Sequence, residues 1–174
     1  MQTGFQRIFG GAPERVVAPG EALFRTADAV RQMHLVRAGS VLLERVTRAG
    51  TRILLQQAHA GVVVSEASAY SPAYHCDAAA GAQGARCAIL PVAEFHARLA
   101  ADPGAATAWA AGLAQAVQAA RLRAELRSLR TVAERLDAWL GEHRKLPERG
   151  CWQDIAAELG VSREALYREL ARRR

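Results

Sequence analysis

Hydrophobic positions along the chain fall into two regimes. From Arg15 to about Pro91, short apolar runs alternate with turn residues. Val16-Val17 precede Pro19-Gly20-Glu21, and Leu23-Phe24 come next. Met33 to Val36 break at Ala38-Gly39, Val41 to Val46 break at Ala49-Gly50, and Ile53-Leu54-Leu55 give way to His59-Ala60-Gly61. Val62-Val63-Val64 and Arg86 to Leu90 complete the set. Many short strands with Gly-rich turns predict a jelly-roll or β-roll barrel, whose closure hides its strand edges. Ahead of it, Phe5, Ile8 and Phe9 predict a turn or two of helix packed on the barrel and stopped by Gly10, Gly11 and Pro13.

After the barrel the apolar period lengthens to three and four. Residues 92–100 read as a short helix with Phe95 and Leu99 on one face. Asp102 as N-cap and Pro103 at the first position open a helix that runs to about Ser128. Trp109, Leu113, Val117, Ala120 and Ala124 form one stripe along it, and Leu122, Leu126 and Leu129 a second. Two stripes suit a helix packed on its own domain on one side and on a partner on the other. Ser128 to Thr131 reads as a hinge. Thr131 through Glu134 fits a capping box opening a helix with Val132, Leu136 and Leu140 on one face. His143 to Gly150, with Pro147, is a polar connector, and Trp152 is expected to pack beneath the C-terminal helices.

The last stretch, Gln153 to Leu170, predicts two short helices joined by a tight turn. Ile155, Ala156 and Leu159 give the first an apolar face, Gly160 stops it, and Ser162 caps the second. Ala165, Leu166 and Leu170 bury the second helix, leaving Arg163, Glu164, Tyr167 and Arg168 outward. This is the form of a helix-turn-helix. Arg reaches guanine O6 and N7 with two parallel hydrogen bonds, and Glu accepts from cytosine N4. Ser162, Arg163, Glu164, Tyr167 and Arg168 are therefore the candidate DNA-contacting residues. On spacing alone, the same pattern also fits a surface helix with solvated charges.

Asp154-Ile155-Ala156-x-x-Leu159-Gly160, followed by Ser162-Arg163-Glu164-x-x-x-Arg168, resembles the helix-turn-helix of the cyclic-AMP receptor protein and fumarate-nitrate regulator (CRP/FNR) superfamily. Pro19-Gly20-Glu21, Leu35 to Ser40 and Gly61 to Glu66 are similar to landmarks of that superfamily's β-roll. The resemblance implies an α+β fold: a cyclic-nucleotide-binding-like β-roll (jelly roll) over residues 1–100, a long dimerisation helix over 101–129 and a helix-turn-helix domain over 130–174. It implies a bacterial, cytoplasmic transcription regulator. Its partners would be double-stranded DNA, a second copy of the chain and RNA polymerase, with Arg163, Glu164 and Arg168 reading a TGTGA-type half-site.

Two departures shape the expectations. Nucleotide-binding members hold the ribose and cyclic phosphate with a Gly-Glu and an Arg-Ser pair. Here Glu66 fits, but Ser65 precedes it, and His75-Cys76-Asp77-Ala78 stands where Arg-Ser-Ala is expected. A carboxylate in place of an Arg repels a phosphate. Ala119-Ala120 lie where a polar pair would contact adenine, so a response to cyclic AMP is not expected. Glu66, His75, Cys76 and Asp77 remain candidate effector residues. Tyr74 to Asp77 carries metal-ligating and oxidisable groups, so a metal-, redox- or haem-responsive sensor is the alternative. On a strand His75 and Asp77 share a face while Cys76 opposes them. The bland alternative makes Cys76 a small buried hydrophobe and His75 a satisfied polar residue. Four-Cys iron–sulfur ligation is excluded, haem ligation lacks matching residues, and no metal ligands or cofactor are assigned. His34, His59 and His96 are isolated. The second departure is at the end of the chain: only Ala171-Arg172-Arg173-Arg174 come after the second helix, too few for the family's two-stranded wing. Either the chain is truncated or the protein lacks a wing, and the three arginines read as phosphate contacts or as a frayed end.

Length and charge then narrow the class. The 174 residues suit one medium or two small domains, with net charge +6 and pI about 10.0. Residues 1–120 hold 10 Lys/Arg against 8 Asp/Glu, and residues 121–174 hold 13 against 9, so the excess is densest where DNA binding is expected. Cys76, Cys87 and Cys151 form no CxxC pair and indicate neither a zinc site nor a disulfide framework. No apolar run spans a bilayer, and no signal peptide is evident. With no catalytic residues in a recognisable pattern, an enzyme is not expected. A cupin-like metal enzyme would need clustered His and carboxylate ligands, and a dimeric interaction module without DNA binding would not need Arg163, Glu164 and Arg168.

Overall fold

The computed structural model describes residues 7–50, 52–147 and 152–173. Its N-terminal part is an antiparallel six-stranded sheet curled into a jelly-roll-like barrel. The strands are β1 (Glu14–Val17), β2 (Ala22–Phe24), β3 (Gln32–Val46), β4 (Arg52–His59), β5 (Val63–Val64) and β6 (Asp77–Pro91). The main order is β1-β6-β3-β4, with β2 paired to β6 and β5 to β3.

Strand alternation sorts the apolar residues into two cores. On β3, Val36, Val41 and Leu43 face the barrel interior with Val17, Phe24 and Tyr74. Met33 and Leu35 face outward to a second core with Phe9, Phe95, Leu99 and Trp109. Both faces of this strand are covered, so Met33 to Val36 is continuously buried. Phe5 and Cys151 lie outside the described residues, but Ile8 and Phe9 pack as expected.

The apolar runs underestimate the strands. Met33 to Val36 and Val41 to Val46 were expected as two strands parted at Ala38-Gly39, but they form one strand of 15 residues. The break is taken up as bulges against β6, with register shifts at Val36/Ala38 and Gly39/Val41. Gly39 makes this possible with φ +72°, and an added Cβ would lie 2.2 Å from the Gly84 carbonyl oxygen. Likewise β6 starts at Asp77 rather than Arg86. The Ala- and Gly-rich stretch has weak strand propensity, but Ala78 and Ala79 pair with both β2 and β3.

Among the described residues, five helices come after the barrel: α1 (Val92–Ala101), α2 (Pro103–Ser128), α3 (Val132–His143), α4 (Trp152–Leu159) and α5 (Arg163–Arg172). The caps are those the sequence announces. Asp102 Oδ1 accepts from the Ala105 N–H at 3.0 Å. Thr131 and Glu134 close a full capping box on α3. The chain divides into two compact units, Met1–Leu113 and Ala114–Arg174. The second has its own core of Leu126, Leu136, Trp139, Trp152, Leu159 and Leu166. Fully buried leucines of this kind each contribute about 1.5–3 kcal/mol.

The two kinds of glycine predict different costs. Gly39→Ala combines left-handed backbone with a collision on β6 and should lower unfolding free energy by about 2–5 kcal/mol. Gly20 shares the positive φ but has open space around it, so Gly20→Ala should cost about 1–2 kcal/mol. Urea denaturation of the two variants measures the gap, and equal losses would remove the bulge from the account.

Candidate nucleic-acid interface and effector region

α4 and α5 are joined by Gly160-Val161-Ser162. Gly160 takes φ +65°, the left-handed conformation that ends a helix cheaply. Ser162 then starts α5, its Oγ accepting from the Ala165 N–H at 3.2 Å. Leu166 and Leu170 are buried against α3 and α4, which turns the opposite side of α5 to solvent. Ser162, Arg163, Glu164 and Arg168 are all exposed there. These four sit on the first turns of one short helix, as the spacing predicted.

Tyr167 departs from its expected outward position: it is half-buried. Its ring packs on Trp152 with centroids 5.1 Å apart, and the Arg163 guanidinium carbon lies 5.3 Å from its centroid. Trp152 thus supports Tyr167, and Tyr167 supports Arg163, a stack that restricts a long cationic side chain. Glu164 is held ionised. Its own backbone N–H, the Ser162 hydroxyl and the nearby Arg163 and Arg168 lower its pKa. An acid in a first helical turn also meets the positive end of the helix dipole. The exposed face therefore offers two guanidiniums and one carboxylate, the groups that bond guanine and cytosine edges.

Sequence reading missed the residues that brace this face. Glu169 is 9% exposed and binds Arg173 Nε at 2.8 Å. Arg173 also bonds Asp137 and the Ala133 carbonyl. It is tied to α3, neither frayed nor free for phosphate, while Arg174 lies outside the described residues. Arg135 and Arg127 donate to backbone carbonyls across the unit. Acceptors on the backbone leave no mark in a sequence. The Arg168 side chain lines a cleft of about 220 Å³ with Thr131, Val132, Glu169 and Arg172.

In the barrel the candidate effector residues do not converge. His75 and Cys76 lie in a bend before β6, so strand alternation does not govern them. His75 Nδ1 meets Ser68 Oγ at 3.1 Å, and Ser68 Oγ meets Ser65 Oγ at 2.9 Å. Cys76 points into the barrel core and is fully buried. Burial raises its pKa, outweighing a Ser65 hydrogen bond that favours the thiolate. Asp77 Oδ1 accepts from Thr26 N and Oγ1 at 2.7 and 2.8 Å, which lowers its pKa, and Arg25 is 3.7 Å away. Glu66 opens a short 3-10 turn, half-buried, with Oε2 buried and unpartnered. Ser65 before it holds φ 56°, ψ 45°, a conformation natural to glycine. Nearby cations are engaged, Arg52 by Glu44 at 2.7 Å and Arg45 by the His75 carbonyl at 3.2 Å. Among the described residues, no three His, Cys, Asp or Glu side chains could hold a metal ion.

The isolated histidines have separate surroundings. His34 is buried, and desolvation lowers its pKa to about 4. His96 Nε2 meets the Ala69 carbonyl at 2.8 Å, and His59 is exposed. Among the described residues, no helix is long and apolar enough to cross a membrane.

Residues 14–102 match the family model of the cyclic nucleotide-binding domain. No curated protein matches the sequence. Among solved structures, FixK2 from Bradyrhizobium japonicum aligns with TM-score 0.72 at 20% identity, covering 92% of this chain and 83% of that one. CLP of Xanthomonas campestris, a c-di-GMP-responsive global regulator, aligns with TM-score 0.70 at 19% identity over 97% of this chain and 89% of its own. The catabolite activator protein of Thermus thermophilus aligns with TM-score 0.59 at 21% identity over 97% and 81%. These neighbours are CRP/FNR transcription regulators, and identities so low establish a common fold.

Asp77 and the cysteines of the barrel each give a measurable outcome. The lowered Asp77 pKa means that its stabilising charge is fully present above the ordinary aspartate value and is lost as pH falls from there through the lowered folded-state value. Asp77→Asn should therefore cost about 1 kcal/mol at pH 7, and the difference from wild type should shrink as pH falls past ~3.9 and close below the lowered folded-state value. Denaturation across that range reads it, and a pH-independent difference would refute the charge's role. Native protein at pH 8 should leave Cys76 and Cys87 unmodified by iodoacetamide, with both reacting in denaturant, as mapped by peptide mass. Rapid native alkylation of Cys76 would revive a thiol sensor.

Proposed function

The chain belongs to the cyclic nucleotide-binding domain family, and from that membership we propose a dimeric, sequence-specific transcription regulator of the CRP/FNR type. It acts in the cytoplasm, reads duplex DNA with α5 and is not an enzyme. The observation that carries the reading is the first two turns of α5: Arg163, Glu164 and Arg168 exposed together beyond a capped turn. Helix-turn-helix proteins reach base edges with the N-terminal residues of their second helix, and those are the positions these side chains hold. Tyr167 supports Arg163 from below. RNA polymerase is the further partner that such a regulator would engage.

Dimerisation finds support in α2. The helix is 26 residues long. Along its middle, Val117 is 50% exposed, and Ala120 and Ala124 on the same stripe are not buried either. Small side chains let a second helix approach closely. A two-fold pair would present two copies of α5 to a palindromic site.

The barrel is proposed not to take cyclic AMP. Asp77 stands where a phosphate-binding cation is expected, and Arg25, Arg45 and Arg52 are engaged by Asp77, a carbonyl and Glu44. A signal acting on the barrel would bias the regulator between binding-competent and incompetent states.

Selection of bound duplexes from a random pool, with fluorescence anisotropy on the winner, tests the reading. Arg168→Ala should weaken binding to the selected site by about 1–3 kcal/mol and leave binding to a scrambled duplex nearly unchanged. Equal loss on both duplexes would contradict base reading.

A further inference from the structure

Two arginines join the end of α2 to the turn before α5. Arg135 lies in the first turns of α3, half-buried. Its four hydrogen bonds all go to backbone carbonyls. Nε donates to Leu129 at 2.9 Å and Nη2 to Arg127 at 3.1 Å. Nη1 donates to Leu159 at 3.0 Å and to Gly160 at 3.3 Å. The first pair of carbonyls ends α2, and the second ends α4. A helix leaves its last four carbonyls without partners, and its C-terminus carries partial negative charge. Two such ends meet here with one guanidinium between them.

A second connection runs the other way. Arg127 of α2 donates from Nη2 to the Ala157 carbonyl in the last turn of α4, at 2.9 Å. Its aliphatic stem lies against Gly160, where an added Cβ would sit 3.0 Å from the Arg127 side chain. The turn that sets the direction of α5 is therefore fastened to the last turn of α2 by two guanidiniums and a close glycine contact.

We propose that Arg135 is a positioning residue for the reading helix: its guanidinium fixes the α4–α5 turn to the C-terminal turn of α2, so that the direction of α5 follows that of α2. The inference rests on α5 being the DNA-contacting helix, and it supplies the element through which movement of the long helix reaches the bases. The planar fork is essential to it. A lysine keeps the charge but is a single point donor on a flexible stem and cannot hold carbonyls on two sides. Arg135 directs its donors into the protein, so its loss leaves phosphate contacts intact.

The test measures geometry and recognition on the full-length dimer. Nitroxide labels at Arg121→Cys and Ala171→Cys, in a Cys151→Ser background diluted with unlabelled chain, report the distance from α2 to α5 by pulsed electron resonance. Unaltered Arg135 should give one narrow distance. Arg135→Lys should broaden it, with a melting temperature close to that of the parent. The same variant should lose about tenfold in preference for the selected duplex over a scrambled one, the worth of roughly one good base contact, with the salt dependence unchanged. Arg127→Lys, which removes a single hydrogen bond, should give an intermediate broadening and provides the measurement if Arg135→Lys does not fold. An unchanged distance in the folded variants overturns the proposal. So does a salt slope reduced by about one, which would make Arg135 a phosphate contact. A parent protein that binds no duplex refutes the DNA reading, while the distance measurement still decides the positioning role.

Discussion

A helix leaves its last carbonyl groups without partners on its own backbone, and the C-terminal unit depends on how two such ends are satisfied side by side. α2 and α4 both end beside α3, and their terminal carbonyls converge on one guanidinium. Arg135 meets them with a cation whose donors spread in the plane needed to reach both ends. The solution has a geometric consequence. Once the turn at Gly160 is held, Ser162 caps α5 in one direction, Leu166 and Leu170 bury its inner side, and its other side is delivered to solvent. The arrangement of Arg163, Glu164 and Arg168 thus comes from how two backbones are terminated, before any property of those three residues enters.

The barrel is built on a different constraint. β3 and β6 are long and paired along most of their length, and Met33 to Val36 of β3 is covered on both faces. Such strands tolerate little, and the register between them shifts at Val36/Ala38 and Gly39/Val41, where Gly39 passes close to Gly84. The chemically distinctive side chains lie where the ladder begins, and each is used locally. Asp77 terminates the Thr26 turn, His75 closes a hydroxyl chain through Ser68 to Ser65, and Cys76 fills core. Ser65 holds a left-handed backbone natural to glycine, and the Asp77 carboxylate is taken up by Thr26 and Arg25.

How much of this was legible in the sequence depends on where each interaction's partner lies. Caps are local, so Asp102, the Thr131–Glu134 box and Ser162 could be read directly from short spacings. The exposed face of α5 was legible for the same reason, since burial along a helix tracks its period. Strand ends were not. Gly39 has the composition of a turn, and only its pairing with β6 shows that it is a bulge; Ala78 and Ala79 carry no strand signal of their own until two neighbouring strands supply their pairing. His75, Cys76 and Asp77 were read as neighbours in sequence, but Thr26, Ser68 and the core draw them apart. Tyr167 looked outward on a helical wheel, and Trp152 covers it from another helix.

Charge illustrates the same limit more sharply. The basic excess of the C-terminal third suggests many phosphate contacts if every arginine is counted alike. The structure divides them. Arg127 and Arg135 are held by backbone carbonyls, and Arg173 by Asp137, Glu169 and the Ala133 carbonyl. Their charges still add to the long-range field that would draw a polyanion, but their donors are directed into the protein. Arg163 and Arg168 are different in kind, exposed on one face of a supported helix. A protein that recognises sequence needs both classes: some cations fix where a helix points, and only those left on its outer face can distinguish one base pair from another.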